Sequence, residues 1–362
     1  MESKSYVFDP RPAFPLLITA RRYWSSDCPQ DDPDALTLVF AHATGFHKEH
    51  WEPALAHLFA LARESREGKG AKEGKGRVRI RDAWAIDAPN HGEAAILNER
   101  ELLWGYEPVF PWEEYARAVH LFLAGLGCGV DVDSPKRRIV GVGHSMGASA
   151  IILSQTYQPP LPYVGTVLVE PMLLPPSLPS PSSPSSSSPT SDKTSSPQPQ
   201  APKLAPRNVL LEGAERRRDA WPSRAAARAQ FESRLPWKAW DPRVLEVYVR
   251  IGLREVPGAS GEGAVTLTCT KAQEAACYRD ALGRTKAYRF LAHVCAAMPV
   301  HFIWGALQDN PILIEEVKQA VMSDGTKGQH RSDQRVEGAG HMLPQMQPER
   351  LARALWEALT SD

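Results

Sequence analysis

Short, nearly continuous apolar runs alternate along the chain with segments whose apolar residues recur at helical spacing. "LTLVFAHA" (36–43), "VRIRDAWAID" (78–87), "RRIVGVGHS" (137–145), "YVGTVLVEP" (163–171) and "VHFIWGAL" (300–307) read as strands covered on both faces. "RSDQRVEG" (331–338) reads as a weaker edge strand. Helices are expected over 51–62, over "PWEEYARAVHLFLAGL" (111–126), over "MGASAIILSQTY" (146–157), over "PILIEEVKQAVMS" (311–323) and over "PERLARALWEAL" (348–359). The second of these opens on Pro and carries acids in its first turn, both N-terminal signals. Repeated strand–helix alternation predicts an α/β fold, a doubly wound, mostly parallel sheet.

Three stretches break the rhythm. Residues 63–77, "RESREGKGAKEGKGR", mix charges without apolar periodicity and are expected to be a solvated, disordered insertion. Residues 175–207 are dominated by Pro, Ser, Thr and Gln and cannot bury enough apolar area to offset their ordering entropy; a disordered linker is expected. Residues 208–296 are helix-prone and Arg/Ala-rich, with Trp221, Trp237 and Trp240. A helical lid is expected there, inserted after the strand that ends at Glu170. Its tryptophans either pack lid to sheet or line an apolar pocket. The core thus divides into 1–174 and 297–362.

Lys+Arg and Asp+Glu balance at 42 each, so no nucleic-acid partner is expected. No apolar run reaches the ~18 residues of a membrane span, and no signal peptide is visible. The five scattered cysteines have no metal or disulfide spacing, which points to a reduced, intracellular and cytoplasmic setting. No cofactor motif is present. Nothing in the sequence sets an oligomeric state.

Chemistry concentrates in "GVGHSMGAS" (141–149), where Gly143-His144-Ser145-Met146-Gly147 is a G-x-S-x-G between a strand and a helix. A tight strand-to-helix turn lifts the Ser145 hydroxyl above the sheet. It also sets the Met146 N–H, at the start of a helix, where a developing oxyanion would lie. A serine hydroxyl needs a base, and His341 in "VEGAGHMLP" follows the last strand, where the Ser…acid…His order puts it. Two carboxylates compete to orient that base: Glu170, ending "TVLVE", and Asp309, in "WGALQDNP" after the next strand. Both fall at the carboxyl edge of the sheet. The second oxyanion donor is expected from "AHATGF" (41–46), as the Thr44 N–H, with His42 and Gly45 shaping the loop. His47 and His50, three apart, lack a third metal ligand in the sequence. His301 reads as a core residue.

With these residues in place the chain resembles the α/β-hydrolase superfamily: "HATGFHKEHWEP", "DAPNHGEAA", "GVGHSMGAS", "VLVEP" and "GAGHMLP" fall in the expected order. The lid segments "RRDAWPSRAAARAQF", "WDPRVLEVYV" and "VTLTCTKAQEA" are similar to those of a fungal branch. That branch holds mycophenolic acid acyl-CoA hydrolase, peroxisomal lipase-like proteins and toxin-biosynthesis hydrolases. The resemblance implies a serine hydrolase for an ester or thioester of a hydrophobic acyl group, an acyl-CoA among the candidates, in secondary metabolism. It favours Glu170 over Asp309 as the acid. The alternatives are an acyltransferase or C–C hydrolase with the same residues, or a non-catalytic binding protein on this fold. Three departures stand out. "HATG" replaces HG-x-G, which would force Ala43 into a backbone that Gly permits. Glu replaces Asp at position 170. The branch's peroxisomal address has no counterpart in "TSD".

Overall fold

A computed structural model describes residues 1–68, 78–176, 208–256 and 263–361. Its eleven described strands are β1 (Glu2–Phe8), β2 (Ile18–Trp24), β3 (Leu36–Ala41), β4 (Ile80–Ile86), β5 (Arg138–His144), β6 (Tyr163–Val169), β7 (Ala220–Trp221), β8 (Leu253–Glu255), β9 (Val265–Leu267), β10 (Val300–Gly305) and β11 (Ser332–Val336). Eight of them form one sheet in the order β1-β2-β4-β3-β5-β6-β10-β11. From β4 to β11 every pairing is parallel; β1 and β2 add an antiparallel edge. β11 is the opposite edge, as its weak apolar pattern implied.

The helices are α1 (Glu52–Arg66), α2 (Gly92–Leu97), α3 (Glu99–Gly105), α4 (Trp112–Ala124), α5 (Met146–Ser154), α6 (Val209–Arg216), α7 (Arg224–Ser233), α8 (Pro242–Ile251), α9 (Lys271–Arg279), α10 (Gly283–Ala297), α11 (Glu315–Ala320), α12 (Leu343–Met346) and α13 (Pro348–Thr360). One sheet face is covered by α4, α5 and α10, through residues such as Phe122, Ile151 and Leu291; the other by α1 and α13, through Leu58 and Leu355. α4 stops at Gly125, whose φ of 67° is the left-handed C-terminal conformation glycine adopts without strain. α5 is buried along its whole length, which suits its small and aliphatic sequence.

The expected elements differ from this picture in four places. Arg63–Arg66 continue α1 instead of opening the insertion: the buried face ends at Ala62, and Arg63 and Arg66 form a basic last turn that suits the helix dipole; 69–77 lie outside the described residues. The linker lies outside them too, apart from Pro175 and Pro176. The helix expected over 311–323 starts only at Glu315: the Asn310 side chain accepts the N–H groups of Ile312 and Leu313 and holds a turn there. The lid segment is not wholly helical, for β7, β9 and β8 form a small antiparallel sheet inside it. Its last helix, α10, packs on α5 in the main core.

Candidate active site

Ser145 stands between β5 and α5 at φ 54°, ψ −115°, a backbone region that side chains other than glycine rarely occupy. The turn is tight enough that a Cβ on Gly143 would lie 2.4 Å from the Ala148 Cα, and one on Gly147 2.2 Å from the Ala41 carbonyl oxygen. Both glycines of the motif are therefore required by close backbone approach. The Ser145 N–H is held by the Val169 carbonyl of the next strand, at 3.1 Å.

The His341 ring lies over this serine. Its Nε2 is 3.0 Å from Ser145 Oγ, and its Nδ1 is 3.2 Å from Glu170 Oε2. Glu170 follows β6 directly, also at positive φ (43°), and is fully buried. Its other oxygen, Oε1, accepts the Gly305 N–H and the Lys318 ammonium, each at 2.8 Å. Burial alone would push this carboxyl up. The hydrogen bond and charge of His341, with the Lys318 charge, outweigh it and hold the group down at about 2. Asp309 serves the same loop differently: its Oδ1 accepts the backbone N–H of His341 at 2.8 Å and does not reach the ring nitrogen.

Thr44 and Met146 meet across the turn, the Thr44 hydroxyl donating to Met146 Sδ at 3.3 Å. Among the described residues no backbone carbonyl accepts from the N–H of either. The expected strain at Ala43 is absent; Gly45 takes the left-handed conformation instead, at φ 84°. Its N–H donates to His91 Nε2 at 2.9 Å. His42 is buried, donates from Nδ1 to the Ala43 carbonyl and accepts the Ala88 N–H at Nε2; burial pushes it down to about 4. His301 sits in β10 with Nδ1 2.8 Å from Ser332 Oγ, within the sheet. Among the described residues no group of three His, Cys, Asp or Glu is arranged to hold a metal ion. His47 instead faces Glu49.

The contacts of two residues in this neighbourhood were missed in the sequence. Lys318 is buried behind Glu170 and sits over the Trp304 ring. Its only trace was a lysine on the apolar side of a helix pattern. His144, inside the G-x-S-x-G, bonds through Nε2 to the His341 carbonyl at 2.8 Å, and burial pushes it down to about 3.

Above Ser145 lies a mostly apolar cavity of about 370 Å³, floored by Thr44, Ser145 and His341 and walled by the inserted segment. Of the three tryptophans, Trp237 and Trp240 line it; Trp221 is buried inside the insertion, donating to Gln230.

A parallel sheet with a serine on a strained strand-to-helix turn, a histidine over it and a covering insertion defines a class of protein. A model of the alpha/beta hydrolase family matches residues 38–354, and the chain belongs to that family. Over 224 residues it is 24% identical to the type I acyl-CoA thioesterase mpaH of Penicillium roqueforti, covering 62% of this chain and 41% of that protein. A Penicillium brevicompactum type I acyl-CoA thioesterase mpaH is 26% identical over 140 residues, 39% of this chain and 27% of its own. The chain thus spans less than half the length of these relatives. Among solved structures, the peroxisomal alpha-beta-hydrolase Lpx1 of Saccharomyces cerevisiae superposes with a TM-score of 0.68 at 19% identity, covering 100% of this chain and 89% of that one. The thioesterase domain from the curacin biosynthetic pathway superposes at 0.60 with 13% identity, covering 98% and 100%. At these identities the structures show a shared fold. Among the described residues no helix is long and apolar enough to cross a membrane.

Proposed function

We propose that this protein is a serine hydrolase that cleaves an ester or thioester of a hydrophobic acyl group. The observation that carries it is the line Ser145 Oγ–His341 Nε2 at 3.0 Å and His341 Nδ1–Glu170 Oε2 at 3.2 Å, beneath an apolar cavity. In this reading Ser145 attacks the acyl carbonyl while His341 takes its proton. Glu170, ionised and buried, holds the imidazole and stabilises the imidazolium. The Thr44 and Met146 N–H groups receive the oxyanion. His341 then protonates the leaving alcohol or thiol, and a water deprotonated by the same ring releases the acid from the acyl-serine. The 208–282 segment acts as the lid, and its Trp237 and Trp240 hold the acyl group. An acyl-CoA thioester is the preferred substrate in this proposal, supported by the likeness to the Penicillium acyl-CoA thioesterases.

The test is turnover of a p-nitrophenyl ester and acyl-CoA series. Ser145→Ala and Glu170→Gln are expected to lose roughly 10³-fold or more in kcat/KM, and Asp309→Asn less than about tenfold. A large loss in Asp309→Asn with Glu170→Gln intact would transfer the acid's role to Asp309. No turnover, together with no fluorophosphonate labelling of Ser145, would leave a binding protein.

A further inference from the structure

The geometry points to a second recognition element in the cavity: a hydroxyl-binding subsite formed by Arg217, Glu274, Tyr248 and Tyr278, which selects acyl groups that carry a hydroxyl. The subsite rests on the hydrolase reading above and names the kind of acyl group that reading left open.

The cavity wall is mostly apolar, yet four polar side chains of the inserted segment line it together. Arg217 and Glu274 form an ion pair whose side chains are only 15% and 10% exposed. The guanidinium also donates to the Tyr248 hydroxyl at 2.8 Å and stacks over Trp237. A pair so far out of water costs desolvation energy that apolar residues of the same volume would avoid. A pocket made only for an alkyl chain gains nothing from it.

The hydrogen-bonding capacity of the cluster is incomplete. The Arg217 bond uses Glu274 Oε2, and among the described residues Glu274 Oε1 accepts no hydrogen bond. That oxygen points at the oxyanion loop, so close that a Cβ on Gly45 would lie 3.1 Å from it. The Tyr248 oxygen accepts from Arg217, which leaves its proton without an acceptor among the described residues. Tyr278 lines the cavity and has no side-chain hydrogen bond among them either; burial first, then the Glu274 charge, push its hydroxyl well above its ordinary value and keep it a donor. The wall therefore offers one strong acceptor and two donors within one cluster.

Charge selects the guest. Arg217 already neutralises Glu274, so a substrate ammonium or carboxylate would bring an unpaired charge into the cavity. A hydroxyl donates once and accepts, which matches what the cluster lacks. Trp237 and Trp240 in the same wall admit a ring as well as a chain.

The test compares p-nitrophenyl esters in pairs: 3-phenylpropanoate with its 3- and 4-hydroxyphenyl analogues, and octanoate with 8-hydroxyoctanoate, with the acetate ester as a reference for the reaction itself. At least one hydroxylated ester is expected to exceed its parent about tenfold or more in kcat/KM, the value of one hydrogen bond to a charged acceptor. In Glu274→Gln and in Tyr248→Phe that ratio is expected to fall to about twofold or less. Both esters are measured on one enzyme sample, so partial unfolding of a variant cancels from the ratio. A wild type that prefers no hydroxylated ester, or a preference that persists in both variants, overturns the subsite while acetate turnover leaves the hydrolase reading intact. If no ester is turned over, calorimetry of the matching N-methyl amides on Ser145→Ala reads the same preference as binding; equal affinities overturn the subsite independently of catalysis.

Discussion

At the residue scale, the site is built on two strained backbones. Ser145 and Glu170 both sit at positive φ, each costing of order 1–3 kcal/mol. They are kept there because their N–H groups are tied to neighbouring strands, Ser145 to Val169 and Glu170 to Ile303, at 3.1 and 2.9 Å. Lys318 completes the arrangement from behind as a positioning residue. Replacing it by Met removes the ammonium that shares the Glu170 carboxylate. That carboxylate is then left with the His341 ring and the Gly305 N–H as its partners. The stability sign follows from Glu170. Its folded value, about 2, lies below the ~4.3 of an unfolded glutamate, so its contribution is complete above pH ~4.3 and is lost as pH falls through about 2. Without Lys318 the folded value rises, and acid unfolding followed by circular dichroism is expected to begin at higher pH.

At the element scale, β5 and α5 pack so closely on β3 that side-chain volume at the turn is excluded. Gly147→Ala would set a methyl 2.2 Å from the Ala41 backbone oxygen, where no flexible side chain gives way. A loss of about 2 kcal/mol or more is expected in a urea titration. Gly213→Ala is the contrast: nothing lies within 4 Å of a Cβ there, and its helix is expected to gain about 0.5–1 kcal/mol. The same scale shows which elements periodicity revealed. The inner parallel strands were legible because burial on both faces makes them largely apolar. β1 was not, since most of its residues are exposed and its partner β2 carries Arg21 and Arg22. The strands of the insertion, two and three residues long, are too short for any periodic signal.

At the scale of the whole molecule, the insertion is joined to the site through one apolar cluster in which Ala43 and Phe46 of the 41–46 loop pack with Trp240, Val244 and Tyr248. The Phe46 and Trp240 rings lie 5.6 Å apart. Trp240→Ala is expected to reduce the octanoate-to-acetate ratio of kcat/KM about tenfold, because in the proposed reading only the longer acyl group uses that wall, and to cost about 3–5 kcal/mol of stability. An unchanged ratio would place the acyl group elsewhere.

What depends on neighbours along the chain is readable in the residues themselves. Alternating apolar runs imply the doubly wound sheet, and Gly-x-Ser-x-Gly between a strand and a helix implies the sharp turn at Ser145, because φ, ψ and Cβ sterics act over a few residues. What depends on distance through space is set by the folded arrangement. Glu170 and Asp309 both follow strands at the same sheet edge; only the register of β6, β10 and β11 sets one carboxylate at the ring nitrogen and the other at the backbone of His341. Lys318 behind Glu170, and the Arg217–Glu274 pair in the cavity wall, join residues 148 and 57 positions apart. Local pattern carries no record of such pairs, since each partner alone is an ordinary charged residue until the fold removes the water between them.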